Sequence, residues 1–86
     1  MLDKKAYIIK VDGTQEIIDH QPTLEEAQNI VGGWVEWLPK AKKGITAFGD
    51  EEGRLNGKAV NETASRFLGY EVVGNIIIMV GWKTLK

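Results

Sequence analysis

Five consecutive apolar residues, Ile76-Ile77-Ile78-Met79-Val80, set the strictest constraint on how this 86-residue chain can fold. The run is short and lies between Gly74-Asn75 and Gly81, so it reads as a strand. Successive strand side chains point to opposite faces, which makes it apolar on both. A strand of that kind belongs in the middle of a sheet, and the rest of the chain has to supply its neighbours and its cover.

The remaining elements can be placed in order. Ala6 to Val11 and Thr14 to Asp19 are β-rich runs separated by Asp12-Gly13, the signature of a two-residue type I′ hairpin. That turn predicts Ile8 opposite Ile17, with Tyr7, Ile9 and Ile18 on the other face. After Gln21-Pro22, Thr23 is an N-cap with Glu26 three residues on, the spacing of a capping box. Leu24, Ala27, Ile30 and Val31 then form the apolar stripe of a short helix. Gly32 closes it in the left-handed conformation, and Gly33 turns the chain into a strand from Trp34 to Leu38. Pro39 and the basic segment Lys40 to Gly44 lead to a strand from Ile45 to Phe48, and Gly49 to Gly53 reads as an acidic turn. Arg54 to Val60 is a loop. Asn61 caps a second helix, Glu62 to Leu68, which is closed by Gly69 and directs Ala64, Phe67 and Leu68 to the core. Tyr70 to Val73 is extended, and Lys83 to Lys86 is a polar tail.

Hairpin, helix, two strands, short helix and final buried strand is the succession expected of a β-grasp, ubiquitin-like roll. The fold class predicted is therefore α+β: one domain over residues 1–86, with a mixed sheet packed on one main helix plus a short second helix. The final strand should lie beside the first. A chain this small has a marginal core, so association into a homo-oligomer is expected to help stabilise it.

Composition excludes several functions. Eleven basic and twelve acidic residues leave a net charge of −1, which gives no basis for nonspecific binding to a nucleic acid polymer or an acidic membrane. There is no cysteine and one histidine, His20, so thiol nucleophiles, disulfides and a zinc site are absent from the chain. No apolar run approaches the length of a membrane span or a secretory h-region, and a cytoplasmic location is the expectation. The acidic turn lacks the alternating oxygen ligands of an EF-hand, so no metal is expected. Gly53 to Lys58 has one residue too few for a phosphate-binding P-loop and lacks the following Ser or Thr. His20 and Asp19 are neighbours in a strand and would point to opposite faces. No cofactor is implied, and an enzyme is the weakest class.

Two constellations remain. Trp34 and Trp37, placed on opposite faces of one strand, cannot both be buried in so small a core; one reading makes them a core residue and an interface residue, the other a stacking platform for a base. Arg54, Asn56, Lys58, Asn61 and Arg66, with Thr63 and Ser65, present donors around a helix N-terminus, a grouping that suits phosphate unless it is simply a capped polar loop. Lys42 and Lys43 would add charge if the fold brings them near.

Leu24-Glu25-Glu26-Ala27-Gln28, Val31-Gly32-Gly33-Trp34-Val35-Glu36, Asp50-Glu51-Glu52-Gly53-Arg54-Leu55, Asn61 with Ala64, and the glycine-led final strand resemble, in that order, a family of short proteins carried by bacteriophages and mobile elements, domain of unknown function 3846. The resemblance covers most of the chain and is strongest in the Val-Gly-Gly-aromatic-Val-Glu run. It implies an accessory protein acting in the bacterial host cytoplasm and implies no activity. Together with the two constellations it leads to the expectation of a non-enzymatic anti-defence protein that sequesters a small nucleotide-type immune signal through Trp34, Trp37, Arg54, Asn56, Lys58, Asn61 and Arg66. The alternative is a module that binds and inhibits a host protein through the helix and the tryptophan face.

Overall fold

A computed structural model describes residues 4–39 and 41–86; Met1 to Asp3 and Lys40 of the basic connection lie outside the described residues. The elements are β1 (Lys5–Ile9), β2 (Gln15–Ile18), α1 (Leu24–Val31), β3 (Val35–Leu38), β4 (Ile45–Asp50), α2 (Glu62–Leu68) and β5 (Ile76–Val80). The five strands form one sheet in the order β2-β1-β5-β4-β3. As the sequence requires, β5 is central and lies beside β1. Ile77 and Met79 are fully buried, and Ile76 and Ile78 nearly so.

Every strand pair is antiparallel, including β1 with β5. This corrects the expected mixed sheet, and the parallel first-to-last pair of a β-grasp roll is not formed. The reason lies in the path of α1. The chain leaves β2 at one edge and enters β3 at the other, running in the same direction, which leaves a gap between β1 and β4. The last strand fills that gap antiparallel to both neighbours.

The two helices also divide between the faces. Ala27 and Val31 of α1 pack with Ala6, Phe48, Ile77 and Met79, whereas Ala64 and Leu68 of α2 pack with Ile9, Leu38, Ala47, Val72, Ile76 and Ile78. Alternating residues of β5 thus go to different helices. Trp82 and Leu85 fold back onto the α1 face, and the Lys86 amide donates to the Pro22 carbonyl at 2.8 Å, so the C-terminal segment is more than a polar tail.

The first hairpin differs by one residue from the expected register. Tyr7 pairs with Ile17 and Ala6 with Ile18. The loop is three residues long: the Gly13 amide donates to the Lys10 carbonyl, the Lys10 amide donates to the Thr14 carbonyl, and Gly13 sits at φ 90°. The Asp12 carboxylate accepts from the Thr14 amide at 2.8 Å and favours this wider turn. A shift of one residue exchanges the faces. Ile17 therefore lies on the α2 side and is 64% exposed, and Ile18 takes the α1 side.

Both helix starts and stops follow the sequence. The Thr23 hydroxyl accepts from the Glu26 amide while the Glu26 carboxylate accepts from the Thr23 amide, and Gly32 and Gly69 adopt left-handed conformations. Asn61 does more than cap α2. It is fully buried, accepts from the Ala64 amide, and donates its Nδ2 hydrogens to the carbonyls of Ile9 and Gly74 at 2.8 and 2.9 Å. One amide side chain therefore ties α2 to the end of β1 and to the turn before β5. Asn61→Ala leaves three buried backbone groups without partners and is expected to cost about 2–4 kcal/mol in urea unfolding. Asn61→Asp, which keeps the cap and loses both donors, should also be destabilised.

Candidate functional site

The glycine pair after α1 and the acidic run after β4 meet. Asp50 is the last residue of β4 rather than part of a turn, and its side chain is 2% exposed. Lys58 Nζ lies 2.5 Å from Asp50 Oδ2 and donates to the Val31 carbonyl at the end of α1 at 2.5 Å, with the Gly32 carbonyl at 3.4 Å. Oδ1 accepts from the Glu52 amide at 2.9 Å. Oδ2 meets the ammonium as a contact ion pair and has no well-aligned hydrogen bond. Burial presses the Asp50 carboxyl upward, but Lys58 and the Glu52 amide outweigh it and hold it below its ordinary value.

The surrounding glycines make room for this pair. A Cβ on Gly33 would stand 2.7 Å from Asp50 Oδ1, and one on Gly74 would stand 3.0 Å from Cδ of Lys58. Gly53 approaches Val73 and the Asp50 carbonyl in the same way. These residues hold the fold together and leave no free phosphate donor.

Beside this knot lies the exposed edge of the sheet. Trp34 precedes β3 in a bend, and only Trp37 lies within the strand, so they do not sit on opposite faces of one strand. Both are outside the core, at 67% and 71% exposure. On the α2 face, β3, β4 and the segment Tyr70 to Val73 enclose a cleft of about 290 Å³. Leu38, Val72 and Ile76 give it an apolar floor, Tyr70 a ring, and Glu36, Glu51, Arg54 and Glu71 a charged rim. Glu36 pairs in register with Gly49, where a Cβ would stand 3.0 Å from Cδ1 of Ile76, so the cleft floor packs directly on the Gly49 backbone. Tyr70 Oη donates to the Pro39 carbonyl at 2.8 Å, and burial, then the Glu36 carboxylate, raises its phenol. Arg54 is held by Glu71, through its carboxylate at 3.0 Å and its carbonyl at 2.8 Å.

The proposed binding residues are therefore dispersed. Lys58 and Asn61 are consumed by the fold, and Arg54 is paired at the cleft. Arg66 is exposed on α2 within 3.9 Å of Glu62, Asn56 is exposed in its loop, and the tryptophans flank the β3 edge. Lys42 adds no charge to the Arg54 loop: its ammonium lies 5.8 Å from the Phe67 ring. Phe67 is 40% exposed, because α2 covers only part of its face. The rest is an apolar groove of about 370 Å³ that includes Tyr7, Ile45 and Val80. Sequence reasoning missed Glu36 and Tyr70 as cleft residues, since only the β3–β4 register and the Tyr70 to Val73 segment bring them together.

His20 lies beyond the end of β2, so it does contact Asp19, at 3.4 Å, and its Nε2 is 2.8 Å from Glu26. No group of three or more metal-ligating side chains occurs among the described residues, and no described helix is long and apolar enough to cross a membrane.

Fold and site define a small α+β domain with an antiparallel sheet covered by one helix on each face and an open, tryptophan-bearing edge. The chain belongs to the family described as domain of unknown function 3846, whose model matches residues 4–83. No curated protein and no solved structure matches it.

Lys58→Met strands a buried carboxylate and should cost about 3 kcal/mol in urea unfolding, whereas adding Asp50→Asn restores part of the loss. The Asp50 carboxyl lies below its unfolded value in the fold, so its contribution is present above the unfolded value and is lost as pH falls through the folded one. His20 behaves oppositely. Glu26 first, then Asp19, raises its pKa from the ordinary 6.5. Its contribution is present below the unfolded value and is lost as pH rises through the raised one. An NMR titration should place the His20 midpoint above 6.5, and Glu26→Gln should lower it.

Proposed function

We propose that this protein is a non-enzymatic accessory protein of a phage or mobile element that binds a host protein in the bacterial cytoplasm through the β3 edge. The observation that carries this reading is the exposure of Trp34 and Trp37 at an unpaired sheet edge. Large aromatic side chains left in water at such a place are the usual anchors of a protein interface. On the other face of the same edge, the Leu55 side chain, 86% exposed, adds apolar surface at the cleft. The source and setting rest on the family resemblance.

A second reading, sequestration of a nucleotide-type immune signal, is favoured by one observation, the same pair of exposed indoles as a stacking platform. Its anion-binding part is weakened, since Lys58, Asn61 and Arg54 already have partners. Either mode is compatible with a homo-oligomer.

Immobilised wild-type protein and Trp37→Ala should be compared in a bacterial lysate. Trp37 is exposed, so the variant should keep the wild-type thermal midpoint and lose at least about tenfold of a stoichiometric protein partner. Capture of no protein, together with calorimetric binding of a cyclic dinucleotide, cyclic mononucleotide or ADP-ribose derivative recovered intact, would reverse the order of the two readings.

A further inference from the structure

The outer edge of β3 and the cleft beside it form one surface. The inner edge of β3 is paired with β4 from Val35↔Asp50 to Leu38↔Ala47. The outer edge has no neighbouring strand, and no backbone hydrogen bond from Val35 to Leu38 leaves the sheet on that side among the described residues. Side chains alternate along it: Glu36 and Leu38 face the cleft, and Val35 and Trp37 face the α1 side. An extended segment added to this edge therefore sets every second side chain over the cleft and its intervening ones beside Trp37.

The charges around the cleft select what can enter. Arg54 is engaged by Glu71, and Asp50 by Lys58. Glu36 and Glu51 have no cationic partner among the described residues, and Glu36 is close enough to Tyr70 to raise its phenol. Among the described residues the surplus is two carboxylates, which disfavours an anion. The apolar floor of Leu38 and Ile76 fits a methylene stem, and the Tyr70 ring and the carboxylates fit a planar cation at its end.

Building on the reading of this protein as a protein-binding module, we propose that it recognises an extended segment of its partner by strand addition to β3, with an arginine side chain of that segment seated in the cleft between Glu36, Glu51 and Tyr70. The backbone of β3 supplies the ladder, Trp37 covers the apolar neighbours of the arginine, and the cleft supplies the selectivity.

The test uses the ¹⁵N-labelled full chain and two blocked peptides, threonine-valine-arginine-valine-threonine and the same sequence with glutamate at the centre. The arginine peptide should shift the amides of Glu36, Trp37, Glu51 and Tyr70. The glutamate peptide should bind at least about tenfold more weakly, and Glu36→Gln should weaken the arginine peptide about fivefold while leaving the thermal midpoint in place. Equal binding of the two peptides, shifts confined to other surfaces, or no shifts up to the solubility limit of the peptide would overturn the proposal. A dimer seen by sedimentation whose formation on concentrating the protein shifts the Glu36 and Trp37 amides would also overturn it. A lysate partner lost with Trp37→Ala but kept by Glu36→Lys leaves the protein-binding reading standing and removes the arginine site.

Discussion

The fold depends on the burial of β5 from both sides. Ile77 and Met79 need α1, Ile76 and Ile78 need α2, and neither helix alone can take a strand that is apolar on both faces. Each fully buried aliphatic side chain contributes about 1.5–3 kcal/mol, so the four together are a large part of what a domain of this size has. Because β5 comes last in the chain and lies between β1 and β4, the two halves of the sheet stay separate until it arrives. Each half is a two-stranded hairpin, which is marginal by itself. α1, crossing from one edge to the other, leaves the gap that β5 fills, and β5 joins the halves.

The Asp50–Lys58 pair fixes that crossing. α1 has no basic residue in its last turn, and its final carbonyls would face a partly buried region without a donor. Lys58 supplies both the donor and the positive charge that the C-terminus of a helix favours, and it comes from a loop 27 residues further along the chain. The ammonium in turn needs a counter-charge, which Asp50 gives from the end of the central part of the sheet. Gly33 and Gly74 are small because this arrangement leaves no room for a Cβ. A buried ion pair adds little net stability against apolar residues of the same shape. Its effect here is positional: it sets where α1 ends relative to β4, and so where β3 and its tryptophans begin.

Most of what was legible in the sequence is local. Thr23 with Glu26, Gly32, Asn61 and Gly69 mark helix ends through contacts a few residues apart, and the central place of Ile76 to Val80 follows from its pattern alone. The direction of β5 was not legible, because an all-apolar strand reads the same in either sense. The hairpin register turned on the Asp12 side chain favouring a three-residue loop, a small preference that moves Ile17 to the other face. The grouping expected around an anion loses two of its donors for a related reason. Asn61 and Lys58 look like free donors in sequence, but the carbonyls they satisfy, those of Ile9, Gly74 and Val31, are brought to them only by the fold. The DUF3846 motif residues likewise read as separate signals until Gly33 and Asp50 are seen in contact.

Glu36 has a further consequence for the open edge. An unpaired strand invites pairing with any other strand, and a charged residue on it is one way a protein limits that. A second copy of β3 laid antiparallel with Glu36 opposite Glu36 would bring like charges together beside a cleft that already holds Glu51, which has no cationic partner among the described residues, and Pro39 interrupts the ladder directly after Leu38. The same carboxylate attracts a strand that carries a cation at that position. One residue thus disfavours that self-pairing and favours a basic partner, which accounts for an edge that keeps two tryptophans in water while remaining closed to its own copy in that register.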